Sequence, residues 1–527
     1  MENILNSPNM QNLATMVEEA MRSTKEGVKY FVEPAPGTLG RATNKRHHIV
    51  FGRRGSGKSS LLIKAGADLT ISRRPIAHVD LETFKSHSYP DVLLSVLIAT
   101  FREFHNWINT AAIHPATKTS FWKKMFGAAP SCASYNKEAC ASLSERLGKQ
   151  ITELEKQLHS PDETKTQKIS QEKHEDQQSG EAQGGVSSPV VRAKAKVAAS
   201  EANQQTEELR ESFKRSKIDF LHRNILNYQM IFSDMAKLSN GDSYLFLDDL
   251  YHIKRQDQPN VVDYFHRVAK GQRLWLKIGT IRHRSSWYVH GDPPTGIKLG
   301  DDADSIDLDL TLEKYDLARE FLTKILTNFA KEANLQPISV FLTDGVVDRL
   351  VLASGGVARD FLSVFRKSID IARERRGGGR ANKRIGVEDV NMAAGEHDTS
   401  KREEFKLDSS EDAQRLDSQF TKIRDFCLEN AKCNCFLMDK DAKGDETNSI
   451  HELVDLKLLH LVRSRVTVSG RKGKIYEAYM LDVSQYAGAR KRRGLNIVEF
   501  WKKESKDQLR RATMIYNPVQ DSNQFGI

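Results

Sequence analysis

The chain has few cysteines and no long apolar run, and these two absences exclude several classes of protein. Only five cysteines occur among 527 residues, an odd and low number that fits a reducing compartment better than a disulfide-bonded secreted domain. No apolar run reaches the roughly 18 residues of a membrane span. The first residues also lack the basic start and apolar stretch of a secretion signal. We therefore expect a soluble, cytoplasmic protein without a membrane partner.

The cysteines give little support to a metal site. Cys433 and Cys435 form one closely spaced pair, and Cys427 and His451 lie nearby in the sequence. Structural zinc sites normally combine two such pairs, and no second pair is present. Ordinary free thiols are therefore the favoured interpretation.

Length and charge indicate the scale of the protein and the kind of partner. A chain of this length is too long for a single core, so two or three domains are expected. The formal net charge is +10 and the isoelectric point is near 9.1. This excess of positive charge favours polyanions such as nucleic acid as partners, without identifying one.

The most informative motif is glycine-rich. Residues 52–59 match the phosphate-loop pattern G-x-x-x-x-G-K-[ST] at every fixed position. Residues 48–51 precede it as an expected strand. Residues 60–65 follow as the start of a helix, whose N-terminus favours bound phosphate. The motif predicts a bound nucleoside triphosphate, with Lys58 on the phosphates and Ser59 on Mg²⁺. The predicted nucleotide-binding residues are Gly52, Arg53, Arg54, Gly55, Ser56, Gly57, Lys58, Ser59 and Ser60.

A second motif is acidic. Residues 244–247 are apolar, as in a buried parallel strand, and Asp248 and Asp249 follow them. Asp248 is predicted to bind Mg²⁺, and Asp249 to act as the general base that polarises the attacking water. Many related ATPases carry Glu at this second position. The shorter Asp predicts slow turnover or a role as a binding switch.

The rest of the chain predicts an α/β protein with several parts. Residues 48–312 are expected to form a P-loop core around a parallel five-stranded sheet with right-handed crossovers, and residues 313–400 a helical lid. Residues 1–47 are a lead-in that either lies across the nucleotide base or is a simple linker. Residues 306–312 alternate acidic and apolar side chains, which predicts an edge strand.

Residues 110–212 differ in composition and are predicted to be an insertion into the core. Leucines and an isoleucine recur every three or four residues from Leu143 to Leu158, a pattern typical of a coiled coil or helical hairpin. Residues 160–189 are rich in Gln, Glu, Lys, Ser and Gly and are expected to be disordered. Contact with a protein partner is one interpretation of the insertion, and an idle segment that the core does not need is the other.

The order of these parts resembles the initiator clade of AAA+ ATPases, the origin-recognition-complex and Cdc-six type. The resemblance implies a sensor-1 residue at Thr280 or Arg282. It also implies a sensor-2 arginine at Arg359 that touches the γ-phosphate, and residues 354–360 match that family motif. A trans-acting arginine finger is implied as well, for which Lys298, Arg282 and Arg284 are the candidates.

The same family carries a C-terminal winged helix, which the resemblance places at residues 415–490. Its expected parts are a helix at 416–429, a leucine-rich run at 450–461, a strand at 465–468 and a returning strand at 475–481. The turn between the strands carries Arg471, Lys472 and Lys474, which would suit DNA phosphates. A basic tail at 491–527 follows, and Arg490 precedes it. Packing of this domain against a protein partner is the alternative.

Together these patterns predict an AAA+ ATPase that binds ATP and Mg²⁺ and couples nucleotide state to DNA binding or to assembly of a DNA-associated complex. A homo-oligomer is compatible with this prediction. One alternative is a signalling or defence switch of the STAND type, which shares the Asp-Asp pair and the winged helix. Another is an ATPase scaffold whose insertion recruits a partner effector. The sequence does not separate replication, transposition and defence.

Overall fold

The computed structural model describes residues 4–24, 26–71, 73–113, 135–159, 189–375, 384–408, 413–442, 445–487 and 494–517. A five-stranded parallel sheet forms the first part of the protein. Its strands are β1 (His47–Phe51), β2 (Ile76–Asp80), β3 (Ser243–Asp248), β4 (Leu274–Thr280) and β7 (Ala303–Asp307). They lie in the order β2-β3-β4-β1-β7. A small hairpin, β5 (Tyr288–Val289) and β6 (Thr295–Gly296), lies between β4 and β7. The predicted α/β class with a parallel five-stranded sheet is confirmed.

The register brings the carboxyl ends of all five strands to one edge. Phe51 pairs with Thr280 on one side and with Asp307 on the other, and Asp80 pairs with Asp248. Every residue of β1 and β3 is buried, as expected for parallel strands covered on both faces. The predicted edge strand at 306–312 was placed too late in the chain, because the strand ends at Asp307.

The helices of the core are α3 (Lys58–Ile71), α4 (Asp91–Ile113), α5 (Lys137–His159), α6 (Pro189–Ser239) and α7 (Gln258–Ala269). Helix α5 lies within the predicted insertion, yet Leu143, Leu147 and Leu154 are buried in the same apolar cluster as Phe101 and Phe104 of α4. Residues 137–159 are therefore packed on the core, and that the core does not need them stays a prediction. The segment expected to be disordered, 160–189, lies outside the described residues except for its last residue, which begins α6.

In the described residues the lid contains the helices α8 (Tyr315–Glu332), α9 (Val346–Ser354), α10 (Ala358–Glu374) and α11 (Val387–Asp408). The lead-in contributes α1 (Pro8–Ala20) and α2 (Thr38–Thr43). Helix α1 begins after Ser7, whose side chain accepts a hydrogen bond from the Met10 N–H. Leu13 and Val17 on α1 are buried in the same cluster as Leu326 of the lid. The lead-in is thus packed against the lid.

The C-terminal domain contains α12 (Ala413–Asp425), β8 (Cys435–Asp439), α13 (Asp445–Asp455), β9 (Leu459–Val466) and β10 (Tyr476–Leu481). The strands form an antiparallel sheet in the order β8-β10-β9, which is compatible with a winged helix. The strand predicted at 465–468 begins earlier, at Leu459. The reason is that Lys457 takes a left-handed φ of 65°, which a helix cannot continue through.

The last described segment returns to this sheet. The N–H of Tyr516 donates to the carbonyl of Leu437, and the N–H of Asn496 donates to that of Lys432. Residues 494–517 are therefore part of the packed domain, although the sequence predicted a basic tail from 491 onward. Within the described ranges, no helix combines the length and the apolar character needed to cross a membrane.

Candidate functional site

A cavity of about 200 Å³ lies where the phosphate loop, the lead-in and the lid meet. The phosphate loop follows β1, and α3 begins at Lys58, so the loop N–H groups lie at the N-terminus of a helix. The lead-in and the lid supply a mostly apolar wall on the other side. The residues of that wall include Ala20, Met21, Tyr30, Phe31, Val32, Pro34, Phe321, Ile325, Phe329 and Leu362.

Two glycines of the loop hold conformations that other residues rarely adopt. Gly55 and Gly57 have φ values of 87° and 97°. A Cβ on Gly55 would lie only 2.7 Å from the Cβ of Arg359. The glycine therefore permits close approach of the lid to the loop, and the N–H of Arg359 donates to the Gly55 carbonyl at 3.2 Å.

Lys58 is buried and lies between the loop and the acidic pair. Its ammonium donates to the Gly52 carbonyl at 3.0 Å and lies 4.0 Å from a carboxylate oxygen of Asp249. Burial lowers the pKa of Lys58, and the charges of Asp249 and Asp248 oppose that shift. Lys58 thus places its side-chain nitrogen at the floor of the cavity, near the carboxylate of Asp249.

The acidic pair divides into one residue behind the cavity and one that lines it. Asp248 is buried and accepts hydrogen bonds from the Ser59 hydroxyl and from the N–H of Asp249. Asp249 lines the cavity and takes a left-handed φ of 57°. Burial, reinforced by the charge of Asp248, raises the pKa of Asp249 to about 6.

Several predicted residues line the cavity and others do not. Arg54, Gly55, Ser56, Gly57, Lys58, Ser59, Ser60, Asp249 and Arg359 line it. Among the described residues, Gly52, Arg53, Asp248 and Thr280 are absent from the lining. Gly52 donates its N–H to the Thr280 carbonyl at 3.2 Å. The buried Thr280 hydroxyl bonds to Ser285, and its sensor-1 role stays a prediction.

Arg53 differs most from its predicted role. Its backbone N–H donates to the Asp309 carboxylate at 3.0 Å, its Nε to the same group at 3.1 Å, and its Nη2 to the Gly355 carbonyl at 3.0 Å. The side chain is only 2% exposed. Arg53 therefore faces the connection between core and lid, whereas its neighbour Arg54 lines the cavity.

The arginine-finger candidates contact their own chain. Arg282 lies over the Phe51 ring at 3.9 Å and pairs with Asp307 at 3.3 Å. Lys298 pairs with Asp301 at 2.6 Å on the surface. A role in a neighbouring subunit stays a prediction for these residues.

The sequence did not predict the polar residues behind the loop, which are buried except for the half-buried Asp309. Asp309, Asp455, Lys457 and His460 lie at the boundary between core, lid and C-terminal domain. One signal was present in the sequence, since residues 453–461 alternate apolar residues with Asp455, Lys457 and His460. Charged residues are rarely buried unless they are paired, so their place inside an apolar run indicates buried partners.

At the predicted wing turn the three cations differ. Arg471 and Lys472 are exposed and make no ion pair within the described part of the chain. The ammonium of Lys474 lies 2.7 Å from a carboxylate oxygen of Asp439. The basic residues predicted at 490–493 lie outside the described residues.

Comparisons with known proteins give structural matches only. No protein-family model and no curated protein matches the chain. A Walker-type ATPase of Pyrococcus abyssi matches at 11% identity and a TM-score of 0.39, covering 88% of this chain and 97% of its own. The Aeropyrum pernix ORC1 protein, solved in complex with DNA, matches at 13% identity and a TM-score of 0.30, covering 90% and 89%. Cdc6p from Pyrobaculum aerophilum matches at 10% identity and a TM-score of 0.30, covering 92% and 95%. Two of the three, ORC1 and Cdc6p, bear the names of the origin-recognition-complex and Cdc-six type that the sequence resembles.

Proposed function

We propose that the chain binds ATP with Mg²⁺ in the cavity between phosphate loop, lead-in and lid, and hydrolyses it slowly. The observation that carries this proposal is the convergence of Lys58, Asp249 and Arg359 on one cavity at the N-terminus of α3. A phosphate chain would meet loop N–H groups, a buried ammonium and a lid guanidinium there. The apolar wall from the lead-in and the lid suits the flat face of a nucleobase.

Ser59 and Asp248 are the residues that would hold Mg²⁺. They offer a hydroxyl and a carboxylate oxygen in direct hydrogen-bond contact, and such hard oxygen donors suit this cation. Burial raises the pKa of Asp248, so a cation next to it would compensate for the cost of burying a carboxylate. The ion would neutralise charge on the phosphates.

Asp249 would take the proton of the attacking water. Its pKa of about 6 leaves it ionised at neutral pH and close to the operating pH, as an efficient general base requires. The shorter Asp side chain reaches less far than Glu, which is why slow turnover is proposed. Arg359, at the start of α10, would contact the terminal phosphate and report its presence to the lid.

The hydrolysis proposal is tested with Asp249→Asn. ATP binding measured by calorimetry should persist, while phosphate release should fall by at least about 100-fold, the usual contribution of a positioned base. Asp301→Asn, which removes an exposed carboxylate in a surface pair with Lys298, is the matched control. Unchanged phosphate release in Asp249→Asn would remove this residue from the reaction.

We infer further that the C-terminal domain binds DNA and that the nucleotide state changes its affinity for DNA. The support is electrostatic, since Arg471 and Lys472 are exposed at the turn between β9 and β10. Arg463, Arg465 and Arg510 add positive charge along a groove beside β9. Phosphate contacts of this kind are independent of DNA sequence and weaken with salt.

A salt titration of duplex DNA binding by fluorescence anisotropy tests this step. The logarithm of the binding constant falls linearly with the logarithm of the salt concentration, with a slope of about −0.9 per phosphate contact. Replacing Arg471 and Lys472 by Glu removes two contacts and should therefore reduce the magnitude of this slope by about two units. Lys149→Glu, an exposed reversal on α5, is the control and should leave the slope unchanged. Equal affinity of the double variant and the wild type would favour a scaffold that binds proteins instead.

A further inference from the structure

Outside the cavity, one set of buried residues connects the phosphate loop, the lid and the C-terminal domain. We call it the joint, and it consists of Arg53, Gly355 and His460 with the ion pair of Lys457 and Asp360. None of these five residues lines the cavity, as far as the described residues define it.

The first contact of the joint runs from the phosphate loop to the lid. One guanidinium donates to the Asp309 carboxylate at 3.1 Å and to the Gly355 carbonyl at 3.0 Å. Asp309 lies between β7 and the lid, and Gly355 lies in the turn just before the Arg359 helix. A displacement of the Arg53 backbone would therefore move both Asp309, which precedes the lid, and Gly355 within the lid.

The second contact runs from the lid to the C-terminal domain. Gly355 has a left-handed φ of 57°, and a Cβ at this position would lie 2.2 Å from the His460 ring. The imidazole thus packs directly on the glycine backbone. It is fixed from the other side, because its Nε2 lies 2.9 Å from a carboxylate oxygen of the buried Asp482.

The third contact is a buried ion pair across the same boundary. Lys457 Nζ lies 3.1 Å from a carboxylate oxygen of Asp360, and both side chains are buried. Asp360 directly follows Arg359 in the first turn of α10. A buried pair tolerates little separation, since each charge loses its compensation when the partner moves away.

We propose that Arg53 is a positioning residue that transmits nucleotide occupancy from the phosphate loop to the C-terminal domain through Gly355 and His460. The inference rests on the proposed nucleotide binding at that loop. Bound phosphates would fix the loop backbone, and Arg53 is part of that backbone. Tightly packed interfaces respond to small displacements by changing between discrete arrangements, so a sub-ångström shift is enough to reorient the domain.

Hydrogen–deuterium exchange with and without ATP·Mg²⁺ tests the proposal on the full chain. In the wild type, ATP should slow exchange in peptides of the phosphate loop and change exchange in peptides of residues 445–487. In Arg53→Met at saturating ATP, and in Asp360→Asn, protection of the loop should persist and the change in 445–487 should be lost. Arg53→Lys, which keeps one donor, should retain part of it.

Arg375→Met is the matched control, because it removes the partner of the buried Asp389 within the lid and crosses no domain boundary. It should keep both responses. An equal loss of the C-terminal response in this control would overturn the proposal, since general loosening of the lid would then explain it. A C-terminal response that persists in Arg53→Met and Asp360→Asn would overturn it as well.

A charge-swapped double variant covers the case in which the Asp360 variant does not fold. Asp360→Lys combined with Lys457→Asp should restore folding and the C-terminal response relative to either single variant, and failure to restore either would count against the pair as a link. Failure of the proposed function is distinguishable, because the wild-type loop would then show no protection by ATP.

Discussion

Two neighbouring arginines of the phosphate loop have opposite surroundings. Arg54 lines the cavity, whereas Arg53 is 2% exposed and bound to Asp309 and the Gly355 carbonyl. The first is placed to meet a ligand, and the second holds the loop to the lid and, through His460, to the C-terminal domain. One short loop therefore contributes to both the cavity and the boundary with the lid. The spacing of residues in the motif does not show which arginine belongs to which.

The largest expected effect comes from Arg53→Met, which leaves the Asp309 carboxylate without its guanidinium. Removing one partner of a fully buried pair typically costs about 3–5 kcal/mol of the free energy of unfolding, and the 21% exposure of Asp309 puts the expected loss near the lower end of that range. Arg54→Met should cost less than about 1 kcal/mol, as expected for a side chain outside the core, and should weaken ATP binding. Urea unfolding of the two variants without nucleotide makes the comparison. Equal destabilisation would mean that the two arginines do not differ as described.

A second comparison concerns two leucines in the predicted insertion and the helix after it. Leu147 on α5 is fully buried, and Leu226 on α6 is 69% exposed. Leu147→Ala should lower the free energy of unfolding by about 2–5 kcal/mol, whereas Leu226→Ala should change it by less than about 0.5 kcal/mol. Chemical denaturation measures both values. A decrease in the free energy of unfolding well below this range for Leu147→Ala would favour the interpretation that the core does not need α5.

A buried carboxyl beside the joint, that of Asp455, should also produce a pH dependence of stability, with the same sign as that of Asp249 in the cavity. Burial, with the nearby charge of Asp309, raises the pKa of Asp455 to about 7, above its usual value of about 3.9. The folded protein then holds this proton between about pH 4 and pH 7 while the unfolded chain has lost it, so stability falls as pH rises through that window.

Asp455→Asn removes this titration. Relative to the wild type, the variant should gain about 1.4 kcal/mol of stability per pH unit between about pH 4 and pH 7 and level off above. The lowered pKa of His283, about 4, acts in the opposite direction, but it cancels when the variant is compared with the wild type. Denaturant midpoints at several pH values give the slope, and a difference that is independent of pH would contradict the assignment.

The sequence predicted the parts whose chemistry depends on spacing. The phosphate loop, the acidic end of β3 and the α/β sheet follow from local patterns of glycine, apolar runs and paired carboxylates. The Gly355 turn was also visible as the small-residue stretch before Arg359. Each of these features depends on neighbouring residues, so one amino-acid sequence is enough to predict them.

The remaining features depend on contacts between distant segments. Arg53 meets Asp309 across 256 residues and Gly355 across 302, and no local pattern encodes such partners. The start of β9 was placed at 465 instead of Leu459 because a leucine-rich run fits a helix and a strand equally well, and the left-handed Lys457 decided between them. The packing of α5 on α4 could not be predicted, because the leucine pattern shows that α5 has an apolar face but not which helix covers it.

The central prediction is that a nucleotide binds in the cavity, and calorimetric titration with ATP and Mg²⁺ tests it most directly. Lys64→Ala on α3, which removes an ammonium paired with Asp68, is the control for loss of a nearby positive charge. We predict that the wild type and Lys64→Ala bind one ATP per chain and that Lys58→Ala shows no measurable binding. Equal ATP affinity in Lys58→Ala and the wild type would contradict the assignment of the site.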